Sequence, residues 1–155
     1  MKLRKPLAGD VWVIALVVAT VVFFWWDRFP YLGRDDPASR LQAAARAGEG
    51  IRPLSLPALA TFDWDRVVFF APYTSRETAA NAMGFDWPQF PADLAQSESF
   101  HLVVFTSGKT VVSSGRMRRC LPDVDKALLA HPIPRDQASF SLQTTGDCSV
   151  LRPAR

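Results

Sequence analysis

The chain has 155 residues, with 18 Lys or Arg, 15 Asp or Glu and a formal net charge of +3. Beyond an apolar amino-terminal run about 125 residues remain, enough for one core and too few for two domains. From Arg28 onward 15 basic residues stand against 13 acidic ones, a net charge of +2, so the basic balance comes substantially from the amino-terminal tail and a nucleic-acid partner loses its main support.

Val11 to Trp26 is uncharged and reads as a membrane anchor. At about 1.5 Å per residue it spans roughly 24 Å, and extension back to Leu7 approaches the hydrocarbon thickness of about 30 Å, with Asp10 near the interface. Trp12 marks one border; Trp25, Trp26 and Tyr31 mark the other. A secretory signal peptide is the rival reading. Phe23-Phe24-Trp25-Trp26-Asp27 offers no small residues for a peptidase, and no cysteine precedes Cys120, which argues for an uncleaved signal anchor. Lys2, Arg4 and Lys5 favour a cytoplasmic amino terminus. The expected organisation is a tail and transmembrane anchor over 1–30, a stalk or packing helix over 31–50, and an extracytoplasmic α+β domain over 51–155. The expected address is a bacterial inner (cytoplasmic) membrane, crossed once.

Asp36 suits an N-cap and Pro37 the first helical position, so a helix runs to Ala47 and stops at Gly48. Ile51 to Ala60, with Pro53 and Pro57, suits an irregular edge strand or linker of doubtful pairing. Val67-Val68-Phe69-Phe70 is predicted as the central strand. Thr74 and Glu77 then form a capping-box pattern for a helix over Ser75 to Met83, ended by Gly84. A proline-bracketed aromatic loop follows, with a helical turn over Ala92 to Gln96. Phe100 to Phe105 and Thr110 to Ser113 form a hairpin around Ser107-Gly108-Lys109. Gly115 to Cys120 is basic and extended, Asp123 caps a short helix over Val124 to Ala130, and Ser139 to Leu151 forms a second hairpin. The fold class is α+β: a single transmembrane helix, then one small domain with a mainly antiparallel sheet and two or three short helices.

The segment Asp63-Trp64-Asp65-Arg66-Val67-Val68-Phe69-Phe70-Ala71-Pro72-Tyr73-Thr74, with the Gly84-Phe85 helix exit and the later hairpin, resembles small exported, lipoprotein-like bacterial proteins of unassigned function. It covers about half the domain. The resemblance implies a compact extracytoplasmic α+β module and carries no catalytic residues. It also implies that Val11 to Trp26 replaces a lipid anchor.

Cys120 and Cys148 are the only cysteines and both follow the anchor, so a disulfide between them suits an oxidising space. Two inert thiols, or a reactive one, are the alternatives. His101 and His131 are the only histidines, too few for an expected metal site, and no cofactor is expected. Asp63 and Asp65 could be paired acids, but a strand entrance commonly carries solvated carboxylates. Ser107-Gly108-Lys109-Thr110 lacks the upstream glycine of a phosphate loop. Ser113-Ser114-Gly115 lacks the strand-to-helix elbow of a serine hydrolase. The aromatic cluster from Phe62 to Phe90 is chiefly core; the functional alternative is that Trp64, Tyr73 and Trp87 line a partner groove. Arg116, Arg118 and Arg119 are either a solvated strand face or a docking surface for anionic headgroups or an acidic partner. The expected class is a non-enzymatic interaction or accessory module of an envelope complex, or an immunity-type protein, with one protein partner. An envelope enzyme or a small-ligand or lipid-binding domain is the alternative.

Overall fold

The computed structural model describes residues 36–154. Their first element is α1 (Pro37–Arg46), capped by the Asp36 carboxylate, which accepts from the Ala38 amide at 3.0 Å. Its Ala38, Leu41 and Ala45 point into the core, so this helix packs against the domain and is not a stalk. Strand β1 (Gly50–Ser55) follows and leads into a single turn, α2 (Leu56–Leu59). Arg52 on β1 reaches back to the carbonyls of Ala44 and Gly48 at 3.0 and 2.8 Å, satisfying acceptors at the end of α1.

The apolar run that begins after Asp65 forms β2 (Arg66–Phe70), followed by α3 (Arg76–Met83) and a 3-10 turn over Ala92–Gln96. The long hairpin β3 (Phe100–Ser107) and β4 (Thr110–Arg118) turns through Gly108, whose φ of 58° suits a residue without Cβ. Short strands β5 (Asp123–Val124) and β6 (Ile133–Pro134) precede the terminal hairpin β7 (Ser139–Thr145) and β8 (Cys148–Pro153).

These strands make two four-stranded sheets, ordered β1-β7-β8-β5 and β4-β3-β2-β6. One face of β2 and β3 gives Val67, Phe69, Val103 and Phe105 to a core shared with α1 and with Phe140, Leu142 and Leu151 of the other sheet. The opposite face gives Val68, Phe70, Phe100, Leu102 and Val104 to a second core covered by Ala79 and Met83 of α3 and by Trp87, Phe90 and Leu94. Burial on both faces explains why β2 and β3 are continuous apolar runs without alternation. At the edge strand β4, Gly115 lets α1 approach: a Cβ there would lie 2.5 Å from the Ala38 Cβ and 2.7 Å from Asp36 Oδ1.

The expected architecture is corrected in several places. Among the described residues no helix is long and apolar enough to cross a membrane. The longest, α1, has ten residues, about 15 Å, and carries Arg40, Gln42 and Arg46. The anchor placed over Val11 to Trp26 lies outside the described residues. A single mainly antiparallel sheet is replaced by two sheets, because β1 pairs with β7 over six residues despite Pro53, and β5 runs parallel to β8. The expected helix over Val124 to Ala130 shrinks to a 3-10 turn at Lys126–Leu128 capped by Asp125; Asp123 is instead in β5. The cap of α3 moves from Thr74 to Ser75, which accepts from the Thr78 amide at 3.1 Å, while the Thr74 hydroxyl donates to Ala71 O at 2.7 Å.

Candidate functional site

Three strand ends meet at one end of the β4-β3-β2-β6 sheet. β2 exits through Ala71 and Pro72 into Tyr73, which takes a left-handed φ of 64°. Such a backbone is costly for a residue with a Cβ and persists where neighbours hold it. Here the Tyr73 amide donates to Leu94 O at 2.9 Å, and the Thr74 hydroxyl closes the turn. The ring is left 60% exposed, one of two large apolar side chains so placed among the described residues. Its hydroxyl donates to Glu98 Oε2 at 3.3 Å. Local desolvation, then the Glu98 carboxylate, raise the phenol above its ordinary value, with Arg119 pulling the other way.

The two-residue period of β4 puts Arg116 and Arg118 on one face, and Arg119 opens the turn that follows the strand. All three are exposed. Arg116 lies 2.8 Å from Asp93 and stacks 4.7 Å from the centre of the Phe100 ring. Arg119 donates its amide to Ser99 O at 3.1 Å and holds its Nε 3.4 Å from Asp123. Arg118 stands opposite Phe100 in the sheet register, and its side chain has no acidic partner among the described residues. Tyr73, Glu98, Arg116, Arg118 and Arg119 are therefore all exposed at the same end of the sheet.

Behind it is a bridge between the two sheets. His101 on β3 is 5% exposed and donates from Nε2 to Asp123 Oδ1 on β5 at 2.7 Å; the carboxylate can only accept, which places the proton on Nε2. The buried Nδ1 has no hydrogen-bond partner among the described residues. Burial acts to raise the Asp123 carboxyl, but the hydrogen bonds from His101 and Arg119 outweigh it and hold the group below its ordinary value. One residue beyond Arg119, Cys120 is bonded to Cys148 at the start of β8, with Cα atoms 4.5 Å apart. A covalent and a hydrogen-bonded tie thus join the two sheets.

The other sequence candidates are dispersed. Trp64 and Trp87 are 4% and 7% exposed: Trp64 packs edge-on against Phe105 and Trp87 against Phe90, so both belong to the cores and neither lines a groove. Asp65 accepts from the Gly108 amide at 2.7 Å, at the opposite end of β3 from His101. Asp63, Asp65 and His101 do not converge. Among the described residues no group of three or more His, Cys, Asp or Glu is placed to hold a metal ion. Sequence reasoning missed Glu98, Asp93 and Asp123 as parts of the surface. Asp123 follows Arg119 at the i,i+4 spacing, but that spacing signals a pair only on a helix, and here a loop closes it.

No family model, curated protein or solved structure matches the chain.

Proposed function

We propose that this chain is a non-enzymatic interaction module, an accessory subunit of a bacterial envelope complex or an immunity-type protein, working in an oxidising space outside the cytoplasm. The observation that carries the reading is Tyr73: a large ring held outward by a left-handed backbone, next to three exposed arginines. Tyr and Arg are the side chains that most often anchor protein interfaces, and strain maintained at an exposed aromatic favours a role in contact over one in folding. The compartment is supported by the bond between the two cysteines. Convergence of Asp63, Asp65 and His101 in one cleft would favour the alternative of an envelope enzyme, and Asp65 and His101 lie at opposite ends of β3.

Photo-crosslinking in living cells tests the reading. A crosslinking side chain at position 73 or 118 should yield one dominant protein adduct, and the same group at exposed Lys109, at the far end of the β3-β4 hairpin, should not. Equal labelling at the three positions, or none, would remove the surface from consideration.

A further inference from the structure

We infer that the partner is engaged through a dipolar segment, in which a carboxylate meets Arg118 and a cationic side chain meets Glu98, about three residues apart on an extended chain. This deepens the proposed function and rests on the Tyr73 to Arg119 surface being the partner's site. Two of the three arginines are already neutralised. Arg116 is paired with Asp93 and Arg119 with Asp123, whereas Arg118 is exposed with no acidic partner among the described residues. An incoming carboxylate therefore gains most at Arg118, where a guanidinium offers two parallel N–H donors.

The cationic half follows from the opposite side of β3. Glu98 precedes Phe100 by two residues and turns its exposed carboxylate to the Tyr73 hydroxyl on the β2 side, while Arg118 lies across from Phe100 on the β4 side. Neighbouring strands lie about 4.8 Å apart, so a carboxylate turned to the β2 line and a guanidinium rooted on β4 are separated by about two strand spacings, roughly 10 Å. An extended chain advances about 3.3 Å per residue, so three residues cover that distance. The exposed Tyr73 ring flanks Glu98 and presents an aromatic face to the stem of a Lys or Arg on its way to the carboxylate.

The same arrangement disfavours an anionic membrane. Between Asp36 and Ala154 the chain has twelve basic and twelve acidic residues, and Asp93, Glu98 and Asp123 interleave with the three arginines. Headgroups of one sign would meet those carboxylates, whereas a segment carrying both signs is complementary along its length.

The full 155-residue chain, oxidised, would be panned against a random 12-residue peptide library displayed on phage, with sedimentation on vesicles of 30% phosphatidylglycerol run in parallel. The expected result is enrichment of peptides with Asp or Glu two to four residues from Lys or Arg, in either order. Recovery should fall at least tenfold on Arg118→Glu and on Glu98→Lys, and stay unchanged on Lys109→Glu. Circular dichroism and the absence of free thiols establish that each variant is folded. Enrichment of purely acidic peptides, recovery insensitive to Arg118→Glu, no enrichment at all, or vesicle binding lost on Arg118→Glu would each overturn the proposal. If crosslinks at positions 73 and 118 still capture one protein, the interaction surface stands and only the chemistry assigned to its partner fails.

Discussion

At the Thr106 end of β3 the polar side chains turn back onto the domain. Asp65 accepts from the Gly108 amide at 2.7 Å and from the Thr106 hydroxyl at 3.2 Å, and Arg135 stacks 5.4 Å from the centre of the Trp64 ring. At the Phe100 end the same residue types are arranged outward: Tyr73 projects, Arg118 is unpaired among the described residues, and Glu98 accepts from the Tyr73 hydroxyl. The difference lies in how strand ends are closed. A tight hairpin supplies an amide and a hydroxyl for Asp65 at one end, while at the other three chain segments diverge, leaving Tyr73, Glu98 and Arg118 to meet solvent or a partner. An acid, an arginine and an aromatic ring thus have structural work in one place and free valence in the other.

The comparison breaks most severely where the closed end is emptied. Phe105 is fully buried and meets Trp64 and Phe62 edge-on at centroid distances of 5.1 and 5.4 Å. Phe105→Ala should cost about 3–5 kcal/mol, read as a lower urea midpoint, because the two remaining rings cannot fully close the space that the third leaves. A loss under 1 kcal/mol would mean that this end is not the rigid one. Next in size is the open end's covalent tie. The Cys120–Cys148 bond spans 28 residues, for which the chain-entropy model gives about 3.5 kcal/mol. The double variant Cys120→Ala/Cys148→Ala should lose about 2–4 kcal/mol while leaving the Asp65–Gly108 closure in place. Amide exchange should accelerate around Arg119 and Asp123 and stay slow at Gly108. Labelling of the denatured, unreduced wild type should find no free thiol, and two free thiols in freshly isolated protein would remove the tie.

Much of the closed end was legible in sequence, and the reason is local chemistry. The β-branched and aromatic run after Arg66, the glycine turn at Gly108 and the capped helices α1 and α3 are short-range patterns, and each appears at or within a residue or two of its expected place. The sheet partition was not legible, since pairing of β1 with β7 joins residues almost ninety positions apart and Pro53 argues against it locally. The open end was half legible. Tyr73 and the arginines could be named by type, but their acidic neighbours come from other elements, and only the fold brings Glu98 to Tyr73 or Asp123 to His101. Trp64 and Trp87 share the composition of a docking surface and are buried because sheet and helix cover them.

A smaller effect separates the ends by pH. The Asp123 carboxyl is held below its ordinary value of 3.8 by His101 and Arg119 against the opposing pull of burial. A depressed folded-state value contributes stability that is complete above the unfolded value, near 3.9, and is lost as pH falls through the lower folded one. With a third of the side chain exposed, solvent reduces the hydrogen-bonded pair to about 1 kcal/mol. Asp123→Asn should therefore lower the unfolding free energy, read by urea denaturation, by about that much at pH 6, and its gap to wild type should narrow below pH 4. A gap constant from pH 6 to pH 2.5 would show that the carboxylate's charge does not hold the sheets together.

The smallest expected effect is the sharpest test of what the open end is for. Arg116 and Arg118 share a strand face and differ in what they meet. Arg116→Ala loses the ion pair with Asp93 and the stacking on Phe100, and should cost up to about 1 kcal/mol. Arg118→Ala removes a side chain with no ion-pair partner among the described residues, so its effect should stay within about 0.5 kcal/mol of zero, at low and high salt alike. The two variants measured side by side by urea denaturation control for strand propensity and surface charge. If Arg118→Ala costs as much as Arg116→Ala, Arg118 stabilises the sheet and its exposure is incidental. If it costs nothing while crosslinking at position 118 still captures a protein, the contribution of this guanidinium lies in the complex and not in the fold.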